Sequence, residues 1–200
     1  LVGDDPADAS DPTGHGTHVA GVVAGGNASG THIGVAPAAE LYGIDAFGDD
    51  GTATFASVVA GMEHAAVAAD ADVLQLSLGA NGTHAGFIGP VRNARATGTV
   101  VVAAVGNEGE NASSSPANTY DAVAVGAVDG ERRVPAFSGG QTVDAAAVGA
   151  YPDDLPARYV VPGATAPGVG VGSAEAGGGR GHARRPGTRT AGPPRRRFGP

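Results

Sequence analysis

Three short apolar runs, separated by stretches with helical spacing, constrain the fold of this 200-residue chain more than any other feature. The runs are VLQLSL at 73–78, TVVVAA at 99–104 and AVAVGAV at 122–128. Runs of this kind are typical of buried parallel strands, and the stretches between them can hold crossover helices. The alternation predicts an α/β fold with a mostly parallel sheet, helices on both faces, and chemistry at the carboxyl ends of the strands.

Helical spacing predicts three helices. The first lies in TGHGTHVAGVVA at 13–24, with its cap at Thr13 or Gly14. The third is expected at 85–97, and residues 33–45 are expected to form a loop followed by a short strand. The apolar face of the second helix consists of Phe55, Val58, Val59, Met62, Ala66 and Ala69.

Composition divides the chain into two parts. Residues 1–176 hold all 20 acidic residues and five arginines, whereas residues 177–200 hold seven arginines and no acid. The tail has almost no aliphatic residues, so we expect a folded unit over 1–176 and a disordered tail over 177–200. The abrupt change near Arg180 suggests out-of-frame reading of a GC-rich gene. The acidic body has no lysine, which resembles proteins of high-salt organisms.

Several function classes are disfavoured by composition. The chain has no Cys, which excludes disulfides and a thiol nucleophile. No apolar run is long enough to span a membrane, and no Gly-rich phosphate loop follows a strand, which argues against a nucleotide-binding domain. The Arg-rich tail has one aromatic residue, Phe198, and no motif, so we expect no nucleic-acid partner. Leu1 is not an initiator Met, and we expect the chain to be the interior of a longer reading frame.

The strongest motif is GHGTHVAG at 14–21. A general-base histidine must be exposed and held rigidly, and the first turn of a helix flanked by glycines provides this for His15. His18, one turn later, is expected to pack in the interior. Two alternatives are a plain surface histidine at a helix start and a metal pair formed by His15 and His18, for which no third ligand cluster appears.

The second motif is VVVAAVGNEG at 100–109, an apolar strand that runs into a polar turn. This places the amide of Asn107 at a strand end, where its N–H₂ can stabilise the negative oxygen of a tetrahedral intermediate. The alternative is a turn with no catalytic duty. We expect His15 and Asn107 to converge on one cleft.

GHGTHVAG closely resembles the histidine motif of the subtilisin-like serine proteases. Further matches in the family's order are GVAP at 34–37, VAVGAV at 123–128 and TAPGV at 165–169, and the resemblance covers about 10–176. It implies a three-layer α/β/α fold, truncated here at both ends, and a serine endopeptidase that works through an acyl-enzyme. His15 would be the general base and Asn107 the oxyanion donor.

The resemblance also implies a peptide-binding wall. LSLG at 76–79 is similar to the family segment whose backbone pairs with an extended substrate. An interior strand would explain its apolarity equally well. The implied substrate-binding residues are Ser77, Leu78, Gly79, Ala104 and Gly106.

The chain departs from the family at two triad positions. The acid normally lies in a D-T/S-G setting well before the histidine, and none of the four early aspartates has that setting: Asp4, Asp5, Asp8 and Asp11. The serine normally lies in G-T-S-M-A-x-P, but here Arg189 occupies the serine position of GTRTAGP, and neither Ser138 nor Ser173 is a credible replacement. We therefore expect the chain as given to be inactive.

Other properties follow from the resemblance alone. It implies a polypeptide substrate, a secreted monomer, and no cofactor apart from calcium, which is common in the family but whose ligands are not assignable here. A non-catalytic peptide-binding homologue is the alternative function.

Overall fold

A four-stranded, all-parallel sheet forms the centre of the molecule. The computed structural model describes residues 11, 13–27, 30, 32–48 and 51–176, and the backbone of 183–185. The strand order is β1-β3-β5-β8, and the pairing of neighbours is parallel throughout. This confirms the predicted α/β class and its parallel sheet, and each predicted apolar run contains one strand. The strands are β1 (Val73–Leu76), β3 (Val100–Ala104), β5 (Val123–Val128) and β8 (Ala164–Pro167).

Six further strands in the described part of the chain form antiparallel pairs. They are β2 (Ala80–Asn81) with β4 (Ser114–Ser115), β6 (Gln141–Asp144) with β7 (Arg158–Val161), and β9 (Val171–Ser173) with β10 (Ala183–Arg185). Strand β10 lies within the predicted tail. The other residues of 177–200 lie outside the described part of the chain, so disorder of the tail stays a prediction.

All three predicted helices are present. They are α1 (His15–Ala24), α2 (Phe55–Glu63), which continues as a π-helical turn (His64–Ala68), and α3 (Ile88–Ala96), which follows a 3₁₀ turn (Ala85–Phe87). A further 3₁₀ turn covers Ala145–Ala147. Within the described residues, no helix is long and apolar enough to cross a membrane.

Small aliphatic side chains build the core. Helices α2 and α3 pack on one face of the sheet, where Met62, Val91 and Val101 are almost completely buried. Because side chains alternate along a strand, Val102 points to the opposite face and joins a second, smaller cluster with Val125 and Ala166. Helix α1 lies against β9.

The predicted strand within 33–45 is wrong, because the described residues 32–48 contain no strand. Only part of the segment is anchored: the hydroxyl of Ser57 donates to the Ala46 carbonyl at 2.8 Å, while Leu41 and Tyr42 remain exposed. The apolar pattern predicts extended backbone. A strand also needs a hydrogen-bonded neighbour, which a local pattern does not encode.

Candidate functional site

The start of α1 is fixed by two side chains that precede it. Gly14 is the N-cap residue and has a φ of 66°, a conformation that favours glycine. The capping bonds come from elsewhere: the Asp11 carboxylate accepts the Thr17 N–H at 2.6 Å, and the Thr13 hydroxyl accepts the His15 N–H at 3.2 Å. The predicted helix start is therefore confirmed, but Asp11 has a capping role that the sequence analysis missed.

This arrangement lowers the pKa of Asp11. Partial burial pushes its pKa upward, but hydrogen bonds from the backbone and hydroxyl of Thr17, from Thr13 and from the Gly14 N–H outweigh burial, so the pKa is lowered. A carboxylate at this position also interacts favourably with the positive end of the helix. No local pattern identifies this role, because the common capping aspartate is the N-cap residue itself and Asp11 lies three positions before the N-cap, Gly14.

The ring of His15 reaches across 62 positions of sequence to the predicted substrate wall. Its Nε2 lies 2.9 Å from the Ser77 carbonyl oxygen, immediately after β1. Two residues that the sequence analysis selected from separate motifs are therefore in direct contact. In the part of the chain that the structure describes, no carboxylate bonds to the His15 ring.

His18 lies in the interior, as predicted. It is completely buried, its Nε2 is 3.2 Å from the Val171 carbonyl, and its own carbonyl accepts the Ser173 hydroxyl at 2.6 Å. Gly21 allows this close approach, because a Cβ there would lie 2.8 Å from the Ala174 backbone nitrogen. Within the described residues, no group of three His, Asp or Glu side chains could hold a metal ion.

Both alternative serines have structural partners. The hydroxyl of Ser173 is used by His18, and the Ser138 hydroxyl accepts the Ala127 N–H at 3.0 Å in the interior. Each is buried, at 0% and 5% exposure. A nucleophile must reach substrate, so neither serine fits that role.

Asn107 lies just beyond the carboxyl end of β3. It is exposed, while Ala104 and Gly106 before it are buried. Strands β1 and β3 are parallel neighbours, so Ser77 and Asn107 both follow a strand at the same edge of the sheet. The topology places the two predicted motifs on the same side of the molecule.

Ser114, which the sequence analysis did not select, lies between the substrate wall (77–79) after β1 and the facing segment (104–106) at the end of β3. A Cβ on Gly79 would lie 2.8 Å from the Ser114 Cβ, and a Cβ on Gly106 would lie 2.6 Å from the Ser114 hydroxyl oxygen. The same hydroxyl donates to Glu108 at 3.2 Å. Ser114 occurs in an irregular SSSP segment with no periodicity, so no sequence signal could have found it.

A cavity of about 590 Å³ lies elsewhere, at the amino ends of β3 and β5. Its lining runs from Gly98 to Val101 and from Tyr120 to Val123, together with Arg95. None of the predicted site residues lines it. The candidate site is therefore at the opposite, carboxyl edge. It consists of the His15–Ser77 contact and the two segments, 77–79 and 104–106, that both approach Ser114.

The fold and site define an α/β protein with a parallel sheet, a histidine at a helix start that contacts the end of one strand, and an asparagine after the neighbouring strand. Comparison with known proteins gives the family. The model of the subtilase family matches residues 2–177. The chain belongs to the subtilase family.

Curated relatives agree over part of the chain. The chain is 42% identical to subtilisin BL of Lederbergia lenta and 41% identical to subtilisin Savinase of the same organism, in each case over 57% of this chain and 42% of the relative. It is 41% identical to an alkaline protease of Shouchella clausii, over 57% of this chain and 30% of that protein. The chain thus spans less than half the length of these relatives.

Proposed function

We propose that this chain is the part of a serine endopeptidase that supplies the general base, the oxyanion donor and the peptide-binding wall. The observation that carries the proposal is the contact of the His15 ring with Ser77, because it joins the base to the segment along which a substrate would lie. Family membership supports the same reaction.

His15 would move the proton during acylation, and in the same way it would later take a proton from water and return it to the serine. As general base it would take the proton of a serine hydroxyl, and as general acid it would give that proton to the leaving amine. In the structure Nε2 must donate to the Ser77 carbonyl, which can only accept, so this bond has to open before Nε2 can take the serine proton while a carboxylate orients the ring through Nδ1–H. That second bond holds the imidazole in the correct tautomer, and the described residues do not provide it.

Asn107 would stabilise the oxyanion. Its exposed position after a buried strand end gives the amide a rigid base and access to substrate. The N–H₂ of Asn107 would act together with a backbone N–H of the nucleophile.

The wall would bind substrate backbone. Ser77, Leu78 and Gly79 are half-buried and follow β1, so an extended peptide can pair beside them while Ala104 and Gly106 form the facing side. We infer a polypeptide substrate, a monomeric and secreted enzyme, and a preference for high salt from the lysine-free acidic body. No step is assigned to calcium.

We expect the chain as given to lack hydrolytic activity. The mechanism needs an acid for His15 and a hydroxyl nucleophile, and the position that resembles the family's serine is Arg189, which lies outside the described residues. A fluorophosphonate probe requires an activated serine and should therefore not label the chain.

The test uses labelling and casein hydrolysis. The 200-residue chain should show neither, and a polypeptide extended upstream and read in a frame containing G-T-S-M-A should show both. In that longer polypeptide, His15→Ala should abolish hydrolysis, whereas His32→Ala, a matched change of an exposed histidine, should not. Stoichiometric labelling of the 200-residue chain would contradict the proposal.

A peptide-binding role without catalysis is the second candidate. It is favoured by an intact wall combined with a His15 ring that no described carboxylate orients. If the extended, in-frame polypeptide binds peptides and is not labelled, this candidate replaces the endopeptidase.

A further inference from the structure

A buried amide lies behind the substrate wall and is not part of the chemistry described above. Asn118 is completely buried. Its Nδ2 group is within hydrogen-bond distance of the Gly82 carbonyl (3.0 Å), the Thr83 hydroxyl (3.1 Å) and the Ser113 hydroxyl (2.9 Å). Two protons serve three acceptors, and none of these partners belongs to the residues proposed for catalysis.

The acceptors of Asn118 belong to the two sides of the candidate site. Gly82 and Thr83 continue the chain that leaves the wall through β2. Ser113 begins the segment that contains Ser114, the residue in contact with both Gly79 and Gly106. One side chain therefore bridges the continuation of the wall to the segment that supports the facing side.

The acceptor side of the same amide extends the link. The Ser115 hydroxyl donates to the Asn118 Oδ1 at 2.6 Å and accepts the His84 N–H at 2.9 Å. The Gly82 N–H donates to the Ser113 carbonyl at 2.9 Å. Only a side chain with both donors and an acceptor completes this pattern, which Asp, Leu or Ala cannot do.

We propose that Asn118 is a positioning residue that sets the separation between the substrate wall and the Ser114 segment. The consequence for function rests on the proposed peptide-binding role of Ser77–Gly79. Removing the amide donors takes one partner from Gly82 and one from Thr83 and leaves only the longer contacts of Ser115 (3.2 Å) and Gln141 (3.5 Å), so the end of the wall is loosened while the sheet behind it stays in place. A peptide long enough to lie along the wall should therefore bind more weakly, whereas the affinity of a short peptide should not change.

Two variants and one control test the proposal in the 200-residue chain. Asn118→Asp removes the donors, and Thr83→Val removes one acceptor at nearly constant shape. Tyr159→Phe is the control, because the Tyr159 hydroxyl donates to the backbone carbonyl of Asn118 at 2.6 Å and not to its side chain. Burial raises the pKa of Tyr159, so this phenol remains a donor.

The first readout is the rate of amide hydrogen exchange at Gly82 and His84. The rates are compared under conditions in which the variants have the same free energy of unfolding. We expect exchange at these two amides to be about tenfold faster in Asn118→Asp and Thr83→Val than in Tyr159→Phe. Equal exchange in the three variants would overturn the proposal and leave Asn118 as an ordinary core residue.

The second readout is the binding of blocked tetra-alanine and blocked di-alanine peptides, followed by NMR titration. Asn118→Asp and Thr83→Val should each weaken the binding of tetra-alanine several-fold with little effect on the binding of di-alanine. The control, Tyr159→Phe, should change neither. Equal weakening for both lengths would overturn the positioning role. If the unmodified chain binds neither peptide while exchange changes as expected, the peptide-binding function fails and the positioning of the wall segment stands.

Discussion

The two edges of the parallel sheet are held together by different physics. At the carboxyl edge, hydrogen bonds and close glycine contacts hold the segments that carry His15, Ser77 and Ser114. At the amino edge, exposed ion pairs join Arg92 and Arg95 to Asp121 beside an open cavity. Close contacts fix geometry, whereas exposed charges are screened and contribute little, so the two edges should respond differently to mutation and to salt.

Two glycines with positive φ provide the sharpest contrast. Gly106 at the carboxyl edge has a φ of 115° and would place a Cβ against Ser114 and Glu108, while Gly98 at the amino edge has a φ of 101° and open space around it. Gly106→Ala should destabilise the fold by about 3 kcal/mol and Gly98→Ala by about 1 kcal/mol, because only the first adds overlap to backbone strain. Urea unfolding measures both, and equal losses would show that crowding at Ser114 is unimportant.

The cap of α1 tests whether a charge at the carboxyl edge acts through hydrogen-bond geometry. Asp11→Ala removes the acceptor of the Thr17 N–H and should cost about 1 kcal/mol, a loss that should largely persist in 1 M NaCl. The pKa of Asp11 is lowered below its ordinary value of 3.8, so its contribution is present above about pH 4 and is lost as the pH falls through the folded-state pKa.

Thermal unfolding of the two proteins between pH 2.5 and 7 checks this sign. The difference in melting temperature between the original chain and Asp11→Ala should be constant above pH 4 and should shrink below it. A difference that grows on acidification would contradict the capping role.

The smallest effect is expected at the amino edge. Asp121→Asn breaks the ion pairs with Arg92 and Arg95, whose side chains are 38% and 53% exposed. The melting temperature should drop by no more than about 3 °C at low salt, and the drop should disappear in 1 M NaCl. A salt-independent loss as large as that of Asp11→Ala would remove the distinction between the edges.

Patterns within a short window predicted much of this structure. The apolar runs gave β1, β3 and β5, and the glycine-flanked motif gave both the start of α1 and the buried position of His18. These features depend on neighbours in the sequence, such as alternation, helical spacing and capping, which local patterns encode.

The features that escaped prediction depend on distant partners. The segment 33–45 pairs with no strand among the described residues, and β2 and β4 are too short to give a pattern. Ser114 and Asn118 lie in an irregular segment, and their importance comes from Gly79, Gly82 and Gly106, residues brought near by the fold. The roles of His15 and Asn107 remain predictions, and the His15–Ser77 contact is the structural support for them.

The bond from Ser173 to the His18 carbonyl has a consequence for the order of events during synthesis. It spans 155 positions, so the helix that carries His15 can reach its docking site only after β9 has left the ribosome. At ordinary rates of translation, that delay is about 8 to 30 s. The docking of α1 on β9 is thus among the last contacts to form, after the four central strands have been made, whereas the His15–Ser77 contact spans only 62 positions.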